Sequence, residues 1–235
     1  LQRFGGEQAV VVRKLRCFGA GESTIAELLG NACQRGRNPL VNCTIEYGII
    51  TLHVIATSRD KDTARQMAEQ EEKIIRNKLG ELVYGTAEQS LAKVVGEKLT
   101  QQGKTVAVAE SCTGGSVGRL LTDVPGASKY FTHGWITYSN AAKTSELDIA
   151  ADLIEQYGAV SGQVAQAMAI NARKKARTDY AIGITGIAGP EGGTEQKPVG
   201  MVYISVDSDN GCATKRCLFS NGRRAIRIRA AQTAL

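Results

Sequence analysis

Residues 105–118, TVAVAESCTGGSVG, constrain the fold more than any other stretch of the chain. Val106 to Ala109 form a short apolar run suited to a buried strand, and Val117, Leu120 and Leu121 beyond the glycines fall at helical spacing. Between them lie Glu110, Ser111, Cys112, Thr113 and the pair Gly114-Gly115. The order is therefore strand, tight turn, helix, with Ser111 at the turn. Such a turn sets a hydroxyl at the carboxyl end of a strand, beside N–H groups that a first helical turn leaves unpaired. Those groups suit a developing oxyanion or a phosphate. Ser and Thr here also serve simply as N-caps. Ser111 or Thr113 thus reads as a cap or as a reacting group, and the rest of the chain has to decide.

The 235 residues suffice for one large domain or two small ones. A hydrophobic content of 43% and a charged content of 22% are ordinary for a globular protein. No apolar run has the length of a membrane span, so no membrane partner is expected. The chain starts at Leu1 rather than Met, which suggests a fragment or a processed product. The net charge of +6 fits a nucleotide or nucleic-acid partner, but also many proteins that bind neither. The six cysteines form no CxxC and no Cys/His cluster, and only His53 and His133 accompany them. No metal site is expected, and scattered thiols point to a reducing, cytoplasmic setting.

Residues 1–85 read as a small α+β module: strand 8–15, a helix opened by a Thr24/Glu27 capping box, strands 40–45 and 49–56 around Tyr47-Gly48, and a helix from Asp60 or Asp62 to Leu79. The charges of that last helix read as a solvated face with i,i+4 pairs. His53 belongs to a sheet face, without an acid or nucleophile beside it. The order suits an RNA-binding KH-like fold, yet no GxxG loop with basic neighbours stands where that fold clamps a backbone. A spacer or interaction module is the expectation. Gly80 and Gly85 mark the boundary.

Residues 86–235 alternate helices and strands, which gives a layered α/β domain with a mixed sheet. Thr86 and Gln89 form a capping box, and Leu91, Val94, Val95 and Leu99 one helical face. Residues 134–139, GWITYS, read as a strand, Asn140 as the cap of a short helix carrying Lys143, and Ser161 as the cap of a longer one. The strand 180–185 ends on Thr185, and a loop follows with Gly192-Gly193. Asn210-Gly211 marks a hairpin, and an arginine-bearing helix ends the chain.

Ser111, the group 138–143 and Thr185 thus fall at strand ends, where layered α/β domains form crevices. His133 is expected at the far end of its strand, so no histidine is available as base. A Ser-Lys arrangement needs none. Lys143 would accept the Ser111 proton only if neutral, so its pKa must fall from about 10.4, through burial and a neighbouring cation. A plain surface lysine is the alternative. Cys112 adjoins the serine, but no histidine is there to make it a thiolate.

The motifs AESCTGG at 109–115, YSNAAK at 138–143, GAVS at 158–161, TGIAGPEGGT at 185–194 and KPVG at 197–200 resemble the CinA family, and more narrowly its carboxyl-terminal, PncC-type nicotinamide-nucleotide amidase domain. The resemblance covers essentially all of 86–235. GAGES at 19–23 echoes the family's KH-type middle domain, and no part of these residues is expected to correspond to the molybdopterin-binding-like first domain of long CinA proteins. The resemblance implies metal- and cofactor-free hydrolysis of the carboxamide of nicotinamide mononucleotide. It implies Ser111 as nucleophile, Lys143 as base, and Tyr138 and Thr185 as orienting groups. It places Arg224 near the site, either depressing the lysine pKa or holding substrate, although Arg223 stands where the family usually has an acid. The implied substrate contacts are Cys112, Thr113, Gly114, Gly115, Gly186, Gly192, Gly193 and Lys197, with turn glycines as the plainer reading of several. A homo-oligomer is implied as well. The competing reading is a non-catalytic binding protein linked to competence or DNA damage, and a third is an amidase of another substrate.

Overall fold

The computed structural model describes residues 8–235, which form two compact units dividing between Leu91 and Ala92.

In the first unit, β1 (Ala9–Cys17) pairs antiparallel with β3 (Ile49–Ser58), and β3 with β2 (Leu40–Glu46). The β2–β3 turn places Tyr47 at φ 47° and Gly48 at φ 90°, the two left-handed residues that a tight hairpin requires. Alternate residues of β3 (Ile50, Leu52, Val54 and Ala56) are buried, and α1 (Glu22–Leu29) and α2 (Lys61–Leu79) contribute Ile25, Leu29, Ala64, Ala68 and Ile75 to the same core. Asp60 caps α2, its carboxylate accepting from Thr63 N–H at 2.7 Å. Gly21, not Thr24, precedes α1, and no side chain caps it.

The stretch read as the boundary contains β4 (Val83–Thr86), which pairs with β1, so the sheet runs β2-β3-β1-β4, and the first compact unit runs on to Leu91. The charges of α2 are also not all solvated: Glu71 and Glu72 are buried and bonded to arginines from outside the helix.

The second unit holds a mixed sheet, β6-β5-β7-β8-β9, built from β5 (Val106–Glu110), β6 (Phe131–Ile136), β7 (Tyr180–Gly186), β8 (Met201–Ser208) and β9 (Gly211–Leu218). β5 is parallel to β6 and β7, and β8 runs antiparallel to both its neighbours. Val106 and Val108 of β5, with Ile182 and Ile184 of β7, meet α3 (Leu91–Gln102), α4 (Ser116–Thr122) and α8 (Gly222–Thr233) through Leu99, Val117, Leu121, Ile226 and Ala230. Ala107, Ala109 and Ala181 point the other way and meet Ile154 of α6 (Ala151–Tyr157) and Val164, Met168 and Ala172 of α7 (Gly162–Ala176). The sheet is thus covered on both faces. The small residues of α7 permit close approach: a Cβ on Gly183 would stand 2.3 Å from the Ala165 carbonyl oxygen.

Several boundaries move. Gln89 accepts from the Thr86 N–H at 3.0 Å, but this closes a turn, and α3 begins only at Leu91. Of the expected stripe only Leu99 is buried, with Val95 partly buried against the same core, and Ala92 and Gly96 are the other buried positions of the helix. β6 lies three residues before its expected start, which leaves Tyr138 and Ser139 outside the strand. Ser139, not Asn140, caps α5 (Asn140–Leu147), accepting from Ala142 N–H at 3.0 Å. In the last hairpin Ser208 pairs with Gly211, so Asp209 and Asn210 form the loop and Gly211 opens β9.

Candidate active site

The end of β5 is pinned to β7: Ser111 N–H donates to the Ile184 carbonyl at 3.0 Å. The chain then turns sharply, with Gly114 N–H donating to the Ser111 carbonyl at 3.0 Å. Gly114 and Gly115 take φ of 58° and 89°, two consecutive left-handed residues, which explains glycine at both positions. Ser111 lies at the apex, only 7% exposed. Glu110 beside it is 1% exposed, and its carboxylate folds forward onto α4, accepting from Val117 N–H at 3.2 Å and Gly118 N–H at 2.9 Å. The first free donors of that helix are therefore occupied by the protein itself.

Lys143 arrives from α5. Ser139 fixes the start of that helix, and one turn on Lys143 faces inward, 1% exposed. Its Nζ donates to the Thr137 carbonyl at 2.8 Å and lies 3.1 Å from Ser111 Oγ. No carboxylate forms an ion pair with it among the described residues. Burial without a counter-charge pushes its pKa below the usual lysine value, with Cys112 acting weakly in the opposite direction. An amine so held loses its proton more readily than a surface lysine and can accept one from the hydroxyl it touches. Cys112 is also buried, and burial pushes its thiol up to about 12, so it stays protonated and is the poorer nucleophile.

Around this pair the turn offers donors. The N–H groups of Gly114 and Ser116 are taken by the carbonyls of Ser111 and Thr113, whereas those of Thr113 and Gly115 donate to no backbone carbonyl or side chain among the described residues, and that of Cys112 only to its own thiol. The hydroxyls of Thr113 and Thr137 are buried without a partner, the kind of orphan that a bound molecule or water satisfies. From α8, Arg223 donates to the Gly189 carbonyl at 2.9 Å and to the Tyr138 hydroxyl at 3.0 Å. Arg227, one turn on, donates to the carbonyls of Cys112 at 3.2 Å and Thr113 at 2.7 Å. Among the described residues no group of three or more His, Cys, Asp or Glu side chains is arranged to hold a metal ion.

Comparison with known proteins fixes the family. The CinA C-terminal domain matches residues 88–235, and the damage-inducible protein CinA KH domain matches residues 12–85. The chain belongs to the CinA family. A CinA-like protein of Parasynechococcus marenigrum is 42% identical over 224 residues, which cover 95% of this chain and 53% of that protein. A putative competence-damage inducible protein of Caldicellulosiruptor saccharolyticus is 41% identical over 235 residues, 100% of this chain and 57% of that protein. The chain thus spans about half the length of the curated CinA relatives it matches. Among solved structures, a competence/damage inducible protein from Agrobacterium tumefaciens aligns with a TM-score of 0.60 and 38% identity, over 61% of this chain and 88% of that one. A CinA superfamily protein from Escherichia coli aligns with a TM-score of 0.60 and 30% identity, over 61% and 84%.

Of the residues the CinA resemblance singles out, the structure brings Ser111 and Lys143 into contact. Thr185 is buried nearby, but its hydroxyl donates to the Ala159 carbonyl at 2.8 Å rather than to either of them. Tyr138 is 60% exposed, and its hydroxyl accepts from Arg223, with no hydrogen bond to Ser111 or Lys143 among the described residues. Arg224 is exposed, and its side chain makes no hydrogen bond or ion pair among the described residues; Arg223 and Arg227 reach the site instead, and burial, not a neighbouring cation, lowers the Lys143 pKa. Gly186 and Gly193 are tight-packing positions, where a Cβ would stand 2.7 Å from Val202 Cγ2 and 2.8 Å from Val199 N. Gly192 takes φ 85°. Lys197 donates to the Tyr157 carbonyl at 2.7 Å, closing the end of α6. His133 sits mid-strand in β6, exposed, beside Thr132 and stacked on Trp135, rather than at the strand's end. Sequence reasoning missed Glu110, Thr137, Arg223 and Arg227. The signal for Glu110 was a carboxylate ending a buried strand, which demands donors close by.

Proposed function

We propose that the second unit hydrolyses the carboxamide of nicotinamide mononucleotide to nicotinic acid mononucleotide and ammonia. The observation that carries this reading is the 3.1 Å contact between two buried groups, Lys143 Nζ and Ser111 Oγ, with no carboxylate paired to the amine. Neutral Lys143 takes the Ser111 proton as Oγ attacks the carboxamide carbon. The oxyanion meets free N–H groups of the turn, a kind of contact for which removal of one donor costs about 3–4 kcal/mol in a characterised enzyme. Lys143 returns the proton to the departing nitrogen, which leaves as ammonia. A water molecule, deprotonated by the same amine, then cleaves the acyl ester, giving the carboxylate and restoring Ser111. The pyridine nucleotide is chosen on CinA membership, because a Ser-Lys pair alone does not select it. On this reading the protein works in the cytoplasm as a homo-oligomer, without a cofactor.

The test is ammonia release from nicotinamide mononucleotide. Wild type should release it and Ser111→Ala should not; a silent wild type, or an active Ser111→Ala, ends the reading. Free nicotinamide as competitor reports what ribose and phosphate add. Nucleic-acid binding that persists at physiological salt, from a protein without amidase activity, would favour a binding role.

A further inference from the structure

We propose that Arg227 is a positioning residue that aims the Thr113 N–H at the oxyanion, an inference that rests on the amidase reading above. The argument follows the peptide units of the turn. In a trans peptide the C=O and the next N–H point in opposite directions. The Ser111–Cys112 unit is held by its carbonyl, which accepts from Gly114 N–H at 3.0 Å, and so its own N–H, on Cys112, is fixed in direction. The Cys112–Thr113 unit has no such backbone partner. Its carbonyl is held from behind by Arg227 Nε at 3.2 Å, which turns the Thr113 N–H to the side away from the arginine. The next unit is pinned at both ends, its carbonyl by Arg227 Nη2 at 2.7 Å and its N–H by the Ser111 carbonyl.

Arg227 therefore grips two successive carbonyls with the fork that only a guanidinium presents. It spends no charge on a carboxylate, since no ion pair includes it among the described residues. Gly114 leaves it room: a Cβ there would stand 3.1 Å from Nη2. The result is two consecutive N–H groups, on Cys112 and Thr113, immediately after the nucleophile, neither of them bonded to a carbonyl or to another residue's side chain among the described residues. A positive group bonded to the carbonyl of a peptide also polarises that peptide's N–H, strengthening it as a donor.

The experiment is steady-state kinetics of Arg227→Lys and Arg227→Met on two substrates, nicotinamide mononucleotide and its phosphate-free riboside, with thermal melts to verify folding. Arg227→Lys keeps charge and stem but cannot hold both carbonyls. The expected result is a fall in kcat of roughly 10–100-fold for both substrates, less than for loss of an oxyanion donor, with KM within about twofold. Added ethylguanidinium should restore part of kcat in Arg227→Met. Unchanged kcat in Arg227→Lys overturns the proposal. So does a KM rise confined to the phosphorylated substrate, which would make Arg227 a phosphate ligand. If Arg227→Met does not fold, Arg227→Lys alone decides. A wild type that releases no ammonia defeats the amidase reading itself, a result distinguishable from either.

Discussion

Both units bury charged groups, and the glutamates of the first are handled in the opposite way to the site lysine of the second. In the first, Glu71 receives both Nη atoms of Arg37 at 2.8 Å, and Glu72 is bonded by Arg13 and by Arg76 at 2.8 Å. Burial alone would raise the Glu72 carboxyl, but hydrogen bonds from Arg76 and Arg13 outweigh it and hold the pKa below the usual range. In the second, Lys143 is buried as deeply and has only a carbonyl and a hydroxyl for company. A buried charge with its counter-charge stays ionised and ties elements together. One without it yields its proton and becomes available for chemistry.

The sharpest way to break that contrast is Lys143→Met. Ammonia release should fall by about 10²–10⁴, the usual contribution of a general base. Stability should move the other way, with a melting temperature about 2–4 °C higher for roughly 1 kcal/mol of relieved desolvation. The sign follows from the lowered pKa. Below the folded value, burial of the ammonium opposes folding in full. Between that value and 10.5 the unfolded chain holds the extra proton, so wild-type stability climbs with pH, and the variant should lose this climb. A variant less stable than wild type at neutral pH would show that the amine is supported by more than its two contacts.

Glu72→Ala tests the other side. It leaves two arginines facing a buried gap, and denaturant melts of the first unit should show a loss of about 1–2 kcal/mol, moderated because both arginines are partly exposed. Amidase activity should not change. A pH profile comes next: kcat/KM should rise along a limb lying below 10.5, the ordinary value for lysine, because only neutral Lys143 accepts the proton. A limb at or above that value would remove the desolvated amine from the mechanism. Arg223→Ala should cost more activity than Arg224→Ala, since only Arg223 bonds Tyr138 and Gly189. The smallest effect concerns Asp179, whose carboxyl is held at about 2, chiefly by Lys104 and then by the Thr105 N–H. Its stabilisation is complete above 3.8 and is lost as pH falls through about 2, and Asp179→Asn should flatten that part of an acid-unfolding curve.

What the sequence made legible was local. The apolar run of β5 and the glycines after it state their structure through period and turn chemistry, and they place Ser111 at the end of the strand. Lys143 was found because a histidine was missing. What stayed hidden depended on partners distant in sequence. Arg223 and Arg224 are neighbours on one helix, about 100° apart around its axis. Tyr138 and Gly189, 85 and 34 residues away, decide which of them faces the site. Glu71 and Glu72 look solvated until Arg13 and Arg37 are brought to them from the other end of the module. β4 is four residues long and becomes a strand only because the edge of β1 is open beside it.

The forward fold of Glu110 onto α4 reaches beyond local order. A helix beginning next to a nucleophile is ordinarily a seat for a negatively charged guest, and in this molecule a resident carboxylate already sits there. On the amidase reading, those two N–H groups are not available to a phosphate, and the anionic end of a nucleotide would have to be held elsewhere. On that reading Glu110 would constrain how a substrate lies without touching it.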